Sequence, residues 1–178
     1  KAAAEALGVE VICMAAEFSN HNEVIQMLDD IDATGKAIDI VLNNAGIQVT
    51  YQEDCWATPV DDFTLSYSVN VIAITTICYH LIPKMISRGF GRVVNTTSGI
   101  KDDPQQAPYS ASKAALDKFT IDLATKLKDT GVILSLTDPD WCRTDLGGPF
   151  ANHSPESALP GIIVGAFLND TNEMQACR

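Results

Sequence analysis

The chain has 178 residues, of which 46% are hydrophobic and 20% are charged, and its formal net charge is −11. This length is close to that of the commonest single domain, and the composition is typical of a chain that folds around an apolar core. The negative charge argues against nucleic acid as a partner, because its phosphates would be repelled, and it also disfavours an anionic membrane surface.

The apolar residues alternate between strand-like and helix-like patterns, as in a doubly wound α/β domain with a mostly parallel sheet. A strand is predicted over 9–15, and Asn20 with Glu23 forms a capping box that begins a helix. The buried face of that helix is marked by three apolar residues, Val24, Ile25 and Leu28. The further predicted elements are a strand over 38–43, helix over 60–87, strand over 91–97, helix over 107–128, strand over 132–137 and helix near 157–168.

Two residues should modify these helices. Pro83 should kink or restart the long helix near its end, and Gly131 is a stop signal for the helix over 107–128. The apolar run over 69–82 is interrupted by polar residues and is too short to span a bilayer. The long helix is apolar on more than one face, so one side would cover the sheet and leave the other for a partner subunit.

Tyr109 and Lys113 are four residues apart at the start of the helix over 107–128, a spacing that stacks both side chains on one helix face. A free phenol, with a pKa of about 10, is a poor acid–base group at neutral pH. A neighbouring ammonium would lower that pKa, which suits a proton-transfer catalyst. Many solvated helices carry the same spacing by chance, so the pair gains meaning only from the motifs around it.

Three motifs precede this pair and one follows it. Asn43-Asn44-Ala45-Gly46 closes a predicted strand, Asn70-Val71 lies in the long helix, and the run over 93–99 ends in hydroxyl residues and glycine. Residues 138–145 follow the last clear strand. In this order the set resembles the classical short-chain dehydrogenases/reductases, over nearly the whole chain. The ends of the loop over 144–156 are similar to segments of carbonyl-reductase-like members.

The resemblance implies a set of catalytic roles. Tyr109 would be the acid in reduction and the base in oxidation, and Lys113 would lower its pKa and bind the nicotinamide ribose. Ser98 would hydrogen-bond the substrate oxygen, with Thr97 as the competing candidate. Asn70 would bend its helix around a water that relays protons towards Lys113, although a merely structural buried amide is the alternative.

The resemblance also implies how a cofactor, NAD or NADP, would be held. Glu17 would meet the adenine, and Pro139, Cys142 and Thr144 would border the nicotinamide. The full set of expected cofactor contacts is Glu17, Asn43, Ala45, Gly46, Tyr109, Lys113, Pro139, Cys142 and Thr144. Asp140 stands where the family usually has glycine, and it could restrict the turn because a side chain disfavours a positive φ.

The family's Gly-rich turn and its last strand have no counterpart in the sequence. We therefore expect the chain to be the central part of a longer protein, a single Rossmann-like domain over 1–178 that is incomplete at both ends; a genuinely short variant is the alternative. The residue that separates NAD from NADP would lie after a strand that this sequence lacks. The cofactor therefore stays undecided between the two.

The expected activity is hydride transfer between a nicotinamide and a carbonyl or secondary alcohol of a small or medium apolar molecule. Two rival hypotheses remain: an inactive or truncated member that cannot hold a dinucleotide, and a sugar-nucleotide epimerase or dehydratase. The family's helices pair between subunits, which implies a homodimer or homotetramer. Five cysteines without Cys-x-x-Cys spacing indicate free thiols in a reducing compartment, the cytoplasm, and the three scattered histidines predict no metal site.

Overall fold

The computed structural model describes residues 2–169 of the chain. Its helices and strands, in chain order, are α1 (Ala2–Glu5), α2 (His21–Ala33), β1 (Ile40–Asn43), α3 (Val60–Tyr67), α4 (Ile74–Arg88), β2 (Gly91–Thr96), α5 (Ala107–Ala124) and β3 (Val132–Thr137). A π-helical segment, Ser68–Ala73, joins α3 to α4. Short 3₁₀ helices cover Cys55–Ala57, Pro104–Gln106, Pro155–Ala158 and Gly161–Phe167.

The three described strands form a parallel sheet in the order β1-β2-β3. Asn43 at the end of β1 is in register with Asn95, and Thr96 at the end of β2 is in register with Thr137. All three strands therefore end at one edge, where their following loops meet. Ligands of open α/β sheets bind at this carboxyl edge.

Helices cover both faces of the sheet, as predicted for a doubly wound domain. On one face α4 and α5 bury an apolar cluster that includes Ile74, Met85 and Leu116. On the other face lies Gly161–Phe167, where Gly165 approaches Val94 and Ser135 so closely that a Cβ there would overlap both. A second cluster, with Val24 and Leu28 at its centre, joins α2 to α4.

The strand predicted over 9–15 is wrong for the described structure. Residues 9–17 belong to no strand, and Val9, Ile12 and Met14 are all exposed. Apolar alternation indicates that a segment suits a sheet, but a strand also needs a neighbour for its backbone hydrogen bonds. None of the three described strands pairs with this segment.

The predicted start of α2 is correct in position and different in detail. Asn20 is the N-cap, and its side chain accepts a hydrogen bond from the Asn22 backbone N–H. Glu23 does not complete the predicted capping box, because its carboxylate accepts from the Asn20 side chain and the Glu17 backbone N–H. Val24 and Leu28 are buried as predicted, whereas Ile25 is 41% exposed because it lies beside the buried stripe.

The long helix predicted over 60–87 is interrupted by the π-helical segment. Pro83 neither ends nor restarts α4, which continues to Arg88 and is capped by Gly89 in the left-handed conformation. As one helical run, Val60–Arg88 is long and apolar enough to cross a membrane, unlike the shorter run considered in the sequence. However, 56% of its most apolar stretch is buried within the protein, as in an ordinary core helix.

The last two predicted helices are also shorter or differently wound. α5 ends at Ala124, with Thr125 as its C-cap, so Gly131 is not its stop signal. The segment near 157–168 forms two 3₁₀ helices on either side of the Leu159–Pro160 bond instead of one α-helix. A proline lacks the N–H that a continuous helix requires, which accounts for the break.

Gly131 instead permits a close approach of two backbones at the entrance to β3. Its φ is +76°, and a Cβ would lie 1.9 Å from the Gly89 carbonyl oxygen. Gly131→Ala should therefore destabilise the protein by more than about 2 kcal/mol, since the left-handed conformation alone costs about 1–2 kcal/mol. Urea unfolding measures this change.

Gly35→Ala is the matched control, because Gly35 has φ +67° and no atom within 4 Å of its would-be Cβ. It should show the conformational cost alone. Equal destabilisation by the two substitutions would contradict the steric role of Gly131.

Candidate active site

Tyr109 and Lys113 lie one turn apart near the N-terminus of α5, as their spacing predicts. Both side chains are buried, and the Lys113 Nζ lies 5.7 Å from the centre of the Tyr109 ring. The Pro108 before them occupies the first turn of the helix, where its missing N–H costs nothing. The pair is therefore part of the interior at the carboxyl edge of the sheet, and it is not a solvated surface pair.

The Lys113 ammonium is held by the strand beside it. Its Nζ donates a hydrogen bond of 2.8 Å to the Thr96 carbonyl oxygen at the end of β2. Burial lowers the pKa of Lys113 to about 8, because removal from water disfavours the charged form. The charges of Asp117 and Asp138 act in the opposite direction.

The pKa of Tyr109 is raised, which is the opposite of the predicted direction. Burial of the phenol is the main cause, and the charge of Asp138 adds to it. A hydrogen bond with Ser98 partly offsets these effects by lowering the pKa. The expected lowering by Lys113 is not among the causes of this shift.

The two candidate hydroxyls after β2 face different ways. The Ser98 hydroxyl accepts from the Ile100 N–H at 3.3 Å and lowers the pKa of Tyr109, whereas the Thr97 hydroxyl donates to the Asp117 carboxylate. Ser98 is thus near enough to Tyr109 to act on its pKa, and the Thr97 hydroxyl is directed at Asp117. The role of Ser98 towards a substrate stays a prediction.

Asn70 is fully buried in the π-helical segment and joins three parts of the site. Its Oδ1 accepts from the Ile47 N–H at 2.9 Å, and its Nδ2 donates to the Ile47 carbonyl and to the Ser112 hydroxyl, each at 2.9 Å. The helix is locally widened here, in accord with the predicted distortion. The water relay through Asn70 stays a prediction.

Gly46 allows the loop after β1 to approach these residues. A Cβ at this position would lie 3.3 Å from the Asn70 Oδ1 and 3.4 Å from the Lys113 Nζ. A larger side chain would therefore press on two groups that are already fixed by hydrogen bonds. Ala45, beside it, is exposed at the same edge of the sheet.

Asn43 belongs to the interior of the fold. Its Nδ2 donates to the Asn95 Oδ1 at 2.8 Å, and Asn95 in turn donates to the Thr120 hydroxyl. This buried network ties β1, β2 and α5 together. The side chain is therefore engaged within the sheet, and a direct cofactor contact by Asn43 would have to come from its backbone.

Glu17 makes only local contacts among the described residues. Its carboxylate accepts from the Ser19 N–H and hydroxyl, and these bonds lower the pKa of the exposed side chain. They fix the turn that leads into α2. The predicted adenine contact of Glu17 stays a prediction.

The loop after β3 is closed by its own hydrogen bonds. The Cys142 thiol, which is buried, donates to the Pro139 carbonyl at 3.1 Å. The Thr144 hydroxyl accepts from the Gly147 N–H at 3.1 Å. Asp140 adopts φ +61°, so the residue in the glycine position does take the left-handed conformation that glycine would favour.

The structure adds three polar residues that the sequence analysis did not select for this site. Ser112 bonds Asn70, Asp117 bonds Thr97, and Asp138 accepts hydrogen bonds from Gly99 and Asp140. A signal existed for Asp138, since it directly follows a strand at the carboxyl edge. Within residues 2–169 no three His, Cys, Asp or Glu side chains gather into a metal-binding group, and the prediction of no metal stays a prediction.

Comparisons with known proteins find relatives among the dehydrogenases. A family model described as short chain dehydrogenase matches residues 1–154. The 2-dehydro-3-deoxy-L-rhamnonate dehydrogenase (NAD(+)) of a Sphingomonas species is 32% identical over 148 residues, which cover 82% of this chain and 57% of that protein. The chain spans 58% and 48% of the length of two other curated relatives.

Two solved structures resemble the fold. A gluconate 5-dehydrogenase from Burkholderia cenocepacia, in complex with NADP and tartrate, has 30% identity and a TM-score of 0.64, over 72% of this chain and 51% of that chain. A carbonyl reductase from chicken fatty liver has a TM-score of 0.79, over 95% of this chain and 75% of that chain. Its identity of 20% makes it a likeness of fold alone.

The lowered pKa of Lys113 predicts a pH dependence of stability. The folded state releases this proton near pH 8, whereas an unfolded lysine keeps it to about pH 10.4. The unfolded state therefore binds more protons between these values, so this group makes the free energy of unfolding rise with pH. Between pH 8 and 10, the free energy of unfolding of the parent protein should therefore rise by about 2 kcal/mol relative to that of Lys113→Met. Urea unfolding at a series of pH values measures this difference.

The comparison stops near pH 10 because Tyr109 then begins to act on stability as well. Its pKa is raised in the folded state, so the free energy of unfolding falls with pH above the ordinary phenol pKa of about 10. Lys118→Met is the matched control, since Lys118 lies on the same helix with an exposed side chain. Parallel pH profiles for the parent and Lys113→Met would show that the ammonium is not desolvated.

Proposed function

This chain belongs to the short chain dehydrogenase family, and from this premise we propose that it supplies the acid–base site for NAD(P)-dependent reduction of a carbonyl or oxidation of a secondary alcohol. The observation that carries the proposal is the convergence of Ser98, Tyr109 and Lys113 at the carboxyl edge of the sheet. A hydroxyl, a phenol and an ammonium are the groups that such proton transfer requires.

Each residue has one role in this proposal. Tyr109 donates its proton to the carbonyl oxygen, and Ser98, whose hydroxyl acts on the Tyr109 pKa, hydrogen-bonds the same oxygen. Lys113 keeps a positive charge near them and would bind the nicotinamide ribose, while Asn70 fixes the loop after β1 against α5. The nicotinamide, when bound, supplies the hydride chemistry.

The raised pKa of Tyr109 favours one direction of reaction. A phenol that holds its proton at neutral pH is a donor, and it therefore suits reduction better than oxidation. The substrate we propose is a small or medium apolar carbonyl compound. The exposed Leu146 and Phe150, in the loop that follows the site, support it.

The backbone of the loop after β1 is open to a dinucleotide cofactor. Exposed Ala45 and the close approach of Gly46 leave the backbone after β1 open to a ligand at the same edge as Lys113. The relatives named for NAD(+) and bound to NADP support either dinucleotide.

A second candidate function is a member of the family that does not hold a dinucleotide. Titration of the chain with NADH and NADPH, followed by nicotinamide fluorescence, separates the two. Saturable binding of either one supports the enzyme and names its cofactor. Failure of both in a folded sample would favour the second candidate.

Tyr109→Phe should abolish turnover while leaving dinucleotide binding intact. The substitution removes only the phenolic oxygen, and loss of a general acid typically lowers the rate by about 10²–10⁴-fold. The assay is NAD(P)H oxidation with a panel of ketones. Tyr79→Phe, at an exposed tyrosine on α4, is the matched control and should keep full activity. A Tyr109→Phe protein as active as this control would disprove the mechanism.

We also propose that the protein is a homodimer or homotetramer in the cytoplasm. Apolar side chains on α3 and α5, including Leu65 and Ile121, stay exposed in the single chain. The four described cysteines are free thiols, as expected in a reducing compartment. Light scattering should therefore give a multiple of the 19.2 kDa chain mass.

Substitution of Leu65 and Ile121 together by glutamate should yield the monomer, because unpaired negative charges are too costly to bury in an apolar interface. Leu7→Glu, at a leucine exposed far from these helices in sequence, is the control and should leave the assembly unchanged. A monomeric parent protein would contradict the assignment.

A further inference from the structure

Asp138 connects two of the loops that form the site. It follows β3 directly, and its Oδ2 accepts a hydrogen bond of 2.6 Å from the Gly99 N–H, next to Ser98. Its Oδ1 accepts from the Asp140 N–H at 2.9 Å. A Cβ on Gly99 would lie only 3.0 Å from the Oδ2, so the glycine allows this contact. One carboxylate thus fixes the loop after β2 to the loop after β3.

The same carboxylate lies close enough to the two buried residues of α5 for its charge to act on both. Burial raises the pKa of Tyr109 and lowers that of Lys113, and the charge of Asp138 raises both. Asp117, one turn further along α5, also acts on Lys113, but its carboxylate is engaged by the Thr97 hydroxyl. Among the described residues, the neutral groups around the pair include the Ser98 hydroxyl, the Asn70 amide and the Thr96 carbonyl.

We propose that Asp138 is a positioning residue of this site, which holds the Ser98 loop against the end of β3 and keeps a negative charge beside the Tyr109–Lys113 pair. The role of Asp138 in catalysis rests on the proposed function. Its two hydrogen bonds and its charge are independent of that function.

The charge has a definite consequence for both protons. A carboxylate beside a phenol opposes loss of the phenolic proton, and beside an ammonium it stabilises the charged form. Asp138 therefore keeps Lys113 more protonated than burial alone would allow, and it keeps Tyr109 a proton donor. Removal of this charge should let both groups lose their protons at lower pH.

The test is an NMR titration of the lysine ε carbons in the full chain, which requires neither cofactor nor substrate. In the parent, the Lys113 signal, assigned by its absence from Lys113→Arg, should titrate near pH 8. Asp138→Asn keeps a hydrogen-bond acceptor but removes the charge, so the Lys113 midpoint should move to lower pH. Asp140→Asn makes the same change two residues away, where asparagine also tolerates a positive φ, and should leave the midpoint unchanged.

Each outcome is decisive. A folded Asp138→Asn protein with the parent's Lys113 midpoint, or an equal shift in Asp140→Asn, would overturn the proposal. Asp138→Ser, which keeps a small acceptor without charge, provides the same comparison should the amide variant not fold. A shifted midpoint in a chain without dehydrogenase activity would support Asp138 and count only against the proposed function.

If the chain is active, the pH dependence of turnover gives a second readout. In Asp138→Asn, the part of the pH–rate profile that reports the Tyr109 pKa should move to lower pH, because a negative charge that opposed loss of the phenolic proton is gone. If the substitution changed stability but left this part of the pH–rate profile in place, Asp138 would have a structural role only.

Discussion

The hydrogen bond from the Lys113 ammonium to the Thr96 carbonyl oxygen is the contact around which the site is arranged. A buried ammonium is costly unless it has partners, and this one has a carbonyl at the end of a strand and two carboxylates nearby. The contact aligns the first turns of α5 with the carboxyl end of β2. Tyr109 and Ser98 meet because their elements are fixed in this way.

The surrounding structure supports this alignment with neutral hydrogen bonds. Asn70 joins the loop after β1 to Ser112 on α5, and the Asn43–Asn95–Thr120 network joins two strands to the same helix. Buried amides of this kind stabilise a fold only when their polar atoms are paired, and these pair with groups from different elements. The amides therefore specify how the elements fit together, in addition to any part in chemistry.

The sequence predicted the helix of Tyr109, the strand over 132–137 and the cap at Asn20, because these depend on local spacing and side-chain type. Its choice of Ser98 over Thr97 stays a prediction. It failed for the strand over 9–15 and for the direction of the Tyr109 pKa. Strand pairing requires a neighbour, and a pKa depends on burial and on charges such as Asp138 that are distant in sequence.

The sequence by itself therefore determined the family, the alternating α/β order and the residue types of the acid–base site, since these are written in motifs and periodicity. Only the tertiary structure decided which polar groups face one another. It directed Asn43 into the core, joined Thr97 to Asp117 and brought Asp138 to the Ser98 loop. Such contacts are set by sheet register and helix packing, which bring together residues from separate parts of the chain, and no local pattern encodes them.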